Sequence, residues 1–387
     1  MKLMQKILVL VASAALLSIN SAVASTFVPP VPQVNAKSYV LMDYETGHII
    51  AASNEDEQHG PASLAKMMTS YIIGQEIKRG NISENDMVPV SENAWARNFP
   101  GSSLMFIEVG TEVRLQDLNL GIIVASGNDA TVAMAEYIAG TEDAFAEMMN
   151  HYARQIGMEN SVFRNSHGLP HPEQVTTARD MALLAQAMIR DVPEEYALYA
   201  EREFTYNDIT QRNRNTLLWD RNMQVDGIKT GYTSESGYSL VTSAVDGDTR
   251  LISVVMGTSS MNARAAESRK LLNYGFRYFE TVTAYNEGDH LVSPRIWGGE
   301  QDEIRLGVPE TVVLTLPRGQ RGSLQAEFEL NTSLEAPVAQ GQTVGLVNVK
   351  LGGETLTSFP LVALESVEQG GFFKRIMDSI KKSFADE

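Results

Sequence analysis

Pro61-Ala62-Ser63-Leu64-Ala65-Lys66-Met67-Met68-Thr69 opens a stretch that stays mostly apolar as far as Arg79 and stops at Gly80. The run from Leu64 to Arg79 is too long for a strand and reads as a buried helix with glycine just past its end. At the start of a helix, residues three apart lie on one face, so the Ser63 hydroxyl and the Lys66 amine can touch. A serine hydroxyl is a weak nucleophile until a neighbouring base takes its proton. Lysine serves as that base only if its pKa falls well below its ordinary value of about 10.4; burial and a second nearby cation both act that way. Alone, S-x-x-K recurs by chance in most chains of this size and fits equally a helix N-cap followed by a surface lysine.

Outward from this helix the pattern mixes strands and helices. Ser38 to Met42 and Gly47 to Ala51 read as a strand and its hairpin partner. Leu115 to Ser126, Ala130 to Ala139 and Ala178 to Arg190 read as helices, the first two joined by a short loop. Leu240 to Ala244 and Leu251 to Met256 read as adjacent strands, and Ala263 to Phe279 as a closing helix. That is the pattern of an α+β domain with an antiparallel sheet and a helical lobe. Beyond about residue 285 the texture changes. Leu324, Ala326, Phe328 and Leu330 alternate with Gln325, Glu327 and Glu329, and Val347, Val349 and Leu351 alternate with Asn348 and Lys350 ahead of Gly352-Gly353. This period of two marks half-buried strands in a small all-β domain.

The 387 residues suit two domains, at about 100–200 residues each. A hydrophobic fraction of 43% supplies a substantial core. The formal net charge of -17 argues against nucleic acid as a partner, since phosphate binding needs clustered Lys and Arg. With no cysteine, zinc–thiolate sites and thiol nucleophiles are excluded. The histidines show no metal spacing such as H-x-x-x-H, so neither metal nor cofactor is expected. At the N-terminus, Lys2 and Lys6 precede an apolar run from Ile7 to Leu17, too short to span a bilayer, and Ala22-Val23-Ala24 supplies small residues for a signal peptidase. Residues 1–24 are expected to be a cleaved export signal, an uncleaved anchor being the rival reading. A Pro-rich leader, Phe27 to Pro32, reads as an extended linker.

Two further motifs carry chemistry. Ser126-Gly127-Asn128 lies between two apolar helices, where a hydroxyl can relay a proton and a carboxamide can hold a substrate amide. Lys229-Thr230-Gly231 is expected to open a strand. Gly231 lets another backbone lie close, an exposed edge there can pair with an extended peptide, and Lys229 adds a charge that lowers the pKa of Lys66 and attracts a carboxylate. Each motif alone is weak, and Ser-Gly-Asn alone is a generic turn.

In this order and with these separations the three motifs resemble the serine penicillin-recognising enzymes, whose signature is S-x-x-K, S-x-N and K-T-G. Gly101-Ser102-Ser103-Leu104-Met105-Phe106, His167-Gly168-Leu169, Asn213-Arg214-Asn215, Val225 to Gly231 and Arg264-Ala265-Ala266-Glu267-Ser268, together with Pro61 to Thr69, look like the type-5/6 penicillin-binding proteins. Those proteins are D-alanyl-D-alanine carboxypeptidases, and the resemblance covers nearly the whole chain. It implies a penicillin-binding transpeptidase-like α+β domain at 25–284, an all-β domain at 285–368 and an amphipathic membrane-anchor helix at 369–387. The implied reaction removes the terminal D-alanine from peptidoglycan stem pentapeptides through an acyl-enzyme, with β-lactams as covalent inhibitors. Ser63 is implied to be the nucleophile, Lys66 its base, Ser126 and Lys229 the proton relay, and Asn128 a substrate contact. The backbone N–H groups of Ser63 and Tyr232 are implied to form the oxyanion hole beside Gly231. Thr230, Thr233 and Arg264, with Arg214 as a further candidate, are implied to meet the substrate carboxylate.

There are two departures. Tyr232 stands where the family commonly has histidine, and Pro170 follows His167-Gly168-Leu169 where relatives tend to have a polar residue. His167 itself reads as a loop anchor, an influence on deacylation being the alternative. A class A β-lactamase would need a glutamate within E-x-x-L-N to drive fast deacylation; Glu173 sits in roughly the right loop but in the wrong context. A non-catalytic wall-binding scaffold is the rival from another class, and the intact set of catalytic side chains argues against it. At the C-terminus, Phe372, Phe373, Ile376, Met377, Ile380 and Phe384 gather on one helical face, with Lys374, Arg375, Lys381 and Lys382 toward the flanks and back. This helix is too short and too charged to span. The expectation is a helix lying on the outer face of the inner membrane and holding a periplasmic enzyme there; docking on its own protein is the alternative.

Overall fold

The computed structural model describes residues 28–331 and 333–385, so the expected signal segment lies outside the described residues. In chain order, strands β1 (Ser38–Asp43) and β2 (Ile49–Ser53) lead through a 3₁₀ turn, Ala62–Leu64, into helix α1 (Ala65–Lys78). A small hairpin, β3 (Met87–Pro89) with β4 (Glu112–Arg114), precedes helices α2 (Leu115–Leu120), α3 (Asn128–Ala139), α4 (Glu142–Ile156), α5 (Ala178–Asp191) and α6 (Pro193–Ala197). A second hairpin, β5 (Glu203–Tyr206) with β6 (Ile209–Arg212), is followed by β7 (Gln224–Thr233), β8 (Gly237–Asp246), β9 (Thr249–Thr258) and α7 (Met261–Tyr278). The main sheet is antiparallel in the order β2-β1-β9-β8-β7, which leaves β7 on an edge.

Both faces of this sheet are covered, so its inner strands read as nearly continuous apolar runs. Val40, Met42, Ile252, Val254 and Met256 face α1 and α5, where Met67, Met68, Met181 and Ala185 complete the core. Leu41, Leu251 and Val255 face the other way, onto Leu271 and Leu272 of α7. Each such side chain stabilises the fold by about 1.5–3 kcal/mol on full burial. Helix α1 is buried without a break from Ala65 to Gly74, as its apolar sequence anticipates. Helix α4 has no counterpart among the expected helices, although Phe145, Ala146, Met149, Tyr152 and Ala153 form one buried stripe and Thr141 caps its first turn.

The second unit begins at Phe279, not at 285. Strand β10 (Phe279–Tyr285) pairs with β13 (Val312–Pro317), and β11 (His290–Val292), β12 (Leu306–Gly307), β14 (Leu324–Leu330), β15 (Thr343–Leu351) and β16 (Glu354–Ala363) form a sheet in the order β11-β12-β16-β15-β14. Val312, Leu314 and Leu316 of β13 pack against Val347 and Val349 of β15. The buried Asp43 carboxylate at the end of β1 accepts hydrogen bonds from Thr281 Oγ1 at 2.6 Å and Thr315 Oγ1 at 2.9 Å, joining the two units.

Helix α8 (Phe372–Ala385) docks on the second unit by its polar side. Asp378 is buried and accepts from Gly298 N at 3.1 Å and Arg295 Nη2 at 3.4 Å. Lys374 pairs with Asp302 at 3.0 Å, and Lys382 pairs with Glu335. Two of the basic side chains read as lying toward the flanks and back of the helix, Lys374 and Lys382, are engaged in docking. The apolar side faces outward, with Phe372, Phe373 and Phe384 exposed by 64%, 83% and 75%. No described helix is long and apolar enough to cross a membrane.

Candidate active site

Ser63 sits in the 3₁₀ turn just ahead of α1, and Lys66 falls in the first turn of that helix. The residue before the serine, Ala62, has φ +49°, in the left-handed region. Such a backbone costs on the order of 1–3 kcal/mol and persists only when its surroundings hold it. The hold is visible. A Cβ on Gly168 (φ +89°) would come within 1.8 Å of the Ala62 carbonyl oxygen, and one on Gly231 would meet Leu64 Cγ at 3.1 Å and Pro61 O at 3.2 Å. Two glycines thus let the loop after His167 and strand β7 close on the serine turn.

Lys66 is fully buried, and its Nζ has three partners: Asn128 Oδ1 at 2.6 Å, the His167 carbonyl at 2.6 Å and Ser63 Oγ at 3.4 Å. Burial, and then the Arg214 charge, lower its pKa to about 7, against an opposing pull from Asp129 and Glu142. A neutral amine has two hydrogens and one lone pair. With the two oxygens at 2.6 Å taking the hydrogens, the lone pair is left for the Ser63 hydroxyl, which is the arrangement a general base requires.

Helix α2 continues as a π-type turn, Gly121–Ala125, that ends on Ser126 at φ +60°, and Asn128 begins α3. Lys229 Nζ donates to Ser126 Oγ at 2.9 Å and Thr230 O at 3.3 Å. Its pKa lies well below the ordinary lysine value, through burial first and then the charges of Lys66, Arg214 and Arg264. The Lys229-Thr230-Gly231 motif does not open its strand, as expected from sequence, but lies near the end of the ten-residue β7. The strand starts earlier because Gln224 and Val225 already pair with β8.

A cleft of about 580 Å³ is lined by Ser63, Ser126, Asn128, Arg214, Thr230, Gly231, Tyr232, Thr233 and Arg264, with Lys66 and Lys229 directly behind it. All eleven candidate residues therefore converge. Arg264 is buried; it donates to Gly231 O at 3.2 Å and lies 5.8 Å from the Tyr238 ring centre. Thr233 Oγ1 accepts from Ser236 N at 3.0 Å, closing the turn into β8.

Several supporting residues were not assigned roles by sequence reasoning. Ser102 Oγ accepts from Asn128 Nδ2 at 2.8 Å, and Ser103 Oγ accepts from Arg214 Nη1 at 2.7 Å. The buried Asp129 carboxylate gathers the N–H groups of Met105, Phe106 and Ile107 at 2.8, 2.7 and 3.2 Å. Its position next to Asn128 was the available signal. His167 is buried, and burial together with Lys66 pulls its pKa down to about 3, so the ring is neutral. Its Nδ1 accepts from Leu169 N at 3.1 Å, which leaves Nε2–H for Glu142 at 3.3 Å. The ring anchors the loop while the backbone carbonyl serves Lys66.

Tyr232 is 52% exposed and stacks on Tyr238 with ring centres 4.2 Å apart. Because the ring lies along the rim, Tyr232→His is expected to change acylation and deacylation rates less than about tenfold. Single-turnover kinetics check this, and a change of several orders of magnitude in deacylation would place the side chain in the chemistry.

The comparisons agree with this geometry. Residues 24–260 match the family model described as D-alanyl-D-alanine carboxypeptidase, and residues 279–369 match that of the penicillin-binding protein 5 C-terminal domain. The D-alanyl-D-alanine carboxypeptidase DacA of Escherichia coli K12 is 49% identical over 363 residues, 93% of this chain and 90% of that protein. The crystal structure of penicillin binding protein 5 from Haemophilus influenzae superposes with a TM-score of 0.84 at 46% identity, covering 88% of this chain and 100% of that one. Penicillin-Binding Protein D2 from Listeria monocytogenes in a cefotaxime-bound form matches 64% of this chain and 100% of its own, with a TM-score of 0.59 and 25% identity. The chain belongs to the serine-type D-alanyl-D-alanine carboxypeptidase family of penicillin-recognising enzymes.

Proposed function

We propose that Ser63 Oγ attacks the carbonyl carbon of the penultimate D-alanine of a peptidoglycan stem peptide while Lys66 Nζ takes the hydroxyl proton. The observation that carries this assignment is the Lys66 amine, buried, held by two oxygens and turned toward Ser63. The carbonyl oxygen, negative in the tetrahedral intermediate, is received by the backbone N–H groups of Ser63 and Tyr232, each such donor contributing about 3–4 kcal/mol. As the C–N bond breaks, the leaving D-alanine amine takes a proton through Ser126 and Lys229. Arg264, Arg214, Thr230 and Thr233 hold its carboxylate, and Asn128 contacts the acyl amide. Water then attacks the ester and frees Ser63. A β-lactam enters by the same route but cannot leave, because its amine stays tethered. Fluorescent penicillin tests this. A lasting adduct supports the reading, rapid turnover points to a lactamase, and no adduct points to a scaffold.

The same reading places the enzyme after export on the outer face of the inner membrane, held there by α8. The outward apolar side of α8, with its polar side engaged on the β unit, supports it. Such a face partitions into the lipid headgroup boundary without spanning. Removing residues 370–387 is expected to leave a soluble enzyme of full activity, measured by membrane fractionation and D-alanine release. A truncated protein that still sediments with membranes, or that misfolds, would overturn the anchor reading.

A further inference from the structure

The His167 carbonyl that holds Lys66 belongs to a two-residue segment, Ser166-His167, clamped from both sides. From α1, three residues beyond Lys66, Thr69 Oγ1 donates to the Ser166 carbonyl at 2.6 Å. From α4, Glu142 at the start of the helix presents one carboxylate oxygen, Oε1, to three groups: Ser166 N at 3.1 Å, Ser166 Oγ at 2.7 Å and His167 Nε2 at 3.3 Å. Ser166 and His167 are buried, while the Glu142 side chain is 30% exposed and does not line the catalytic cleft. Both donors of Ser166 are thus committed to a carboxylate outside the set of catalytic side chains.

A neutral lysine aims its lone pair only while acceptors hold its two hydrogens. One of those acceptors, the His167 carbonyl, stands wherever its segment is fastened. We propose that Glu142 is a positioning residue for acylation: by fastening Ser166-His167 it keeps the His167 carbonyl on Lys66 Nζ, and so keeps the lone pair of that amine on Ser63 Oγ. This rests on Lys66 as the base. Glu142 also acts through its charge, which favours the ammonium form of Lys66. The other charged and titratable groups around that amine are Arg214, Lys229 on β7, Asp129 on α3 and the neutral His167 ring. Of the two anions, Asp129 is buried and turned to the N–H groups of residues 105–107, so Glu142 is the one linked to a partner of Lys66. An anion that favours the ammonium raises the pKa. Removing it lowers the pKa and moves the rising limb of acylation to lower pH.

The test follows acylation by fluorescent penicillin in stopped flow, reading the maximal rate and the half-saturating concentration. Glu142→Ala is expected to lower the maximal rate about tenfold, as a displaced base does, and to change the half-saturating concentration less than about twofold. Glu142→Gln keeps an acceptor oxygen without the charge. It is expected to recover most of the rate, and to raise the ratio of the rate at pH 6 to that at pH 8 about twofold over wild type, as suits a partly screened charge. A merely structural role would leave that ratio in place. An alanine variant with the wild-type maximal rate, a glutamine variant no faster than the alanine one, or a pH limb that glutamine does not move overturns the role of Glu142. Should the alanine variant fail to fold, the limb of the glutamine variant decides alone. A flat wild-type profile would instead overturn Lys66 as the base, on which this proposal depends.

Discussion

Ser63→Ala is expected to abolish both D-alanine release and covalent labelling by penicillin, a fall of roughly 10⁶-fold where nucleophile and base act as one unit. The alanine retains the Cβ and the left-handed turn at Ala62, and the lost hydroxyl has one hydrogen-bond partner among the described residues, Lys66 at 3.4 Å. Nothing in the core depends on it, so the thermal midpoint should stay close to wild type. The cleft and its arginines, Arg214 and Arg264, remain, so the variant should still bind peptide reversibly. The check is D-alanine release alongside fluorescent penicillin on a gel. Release near the wild-type rate would remove Ser63 from the mechanism.

Lys66→Ala should slow acylation by several orders of magnitude. General-base assistance alone is worth about 10²–10⁴-fold, and the loss also leaves the buried Asn128 Oδ1 and His167 carbonyl without this donor. That second effect costs stability, about 1–3 kcal/mol per orphaned group. Lys66→Met, which keeps the length and fills the space, separates the two: it should melt higher than the alanine variant yet acylate no faster. The base must be neutral to act, and the neutral fraction of a group with pKa about 7 grows as pH rises through 7. Acylation by the wild-type enzyme should therefore climb about tenfold per pH unit below 7 and level off above it, a limb that both variants lose. A flat wild-type profile between pH 5 and 8 would assign the base elsewhere.

Much of this was legible because it is local. Ser63 and Lys66 share a helical face by spacing alone, and the period-two pattern of residues 324–330 and 347–351 specifies strands whatever they pack on. The order of three short motifs singled out the family. Where reading fell short, the reason lies in pairing and packing. The strand carrying Lys229 was read too short because Gln224 and Val225 reveal themselves only by pairing with β8. The unit boundary moved to Phe279 because β10 belongs with β13, more than 25 residues on.

The sequence by itself determined which side chains could do chemistry, the α+β order of elements, and the apolar face of α8. The tertiary structure decided their state. The Lys66 amine is held and buried only because residues 62 and 101 positions away along the chain place two oxygens on it. The same holds for α8, whose polar face finds Asp302, Glu335 and Arg295 only in the folded β unit, leaving the phenylalanines outward. A pKa and the engaged side of a helix are sums over neighbours distant in sequence, and those neighbours exist only once the chain has folded.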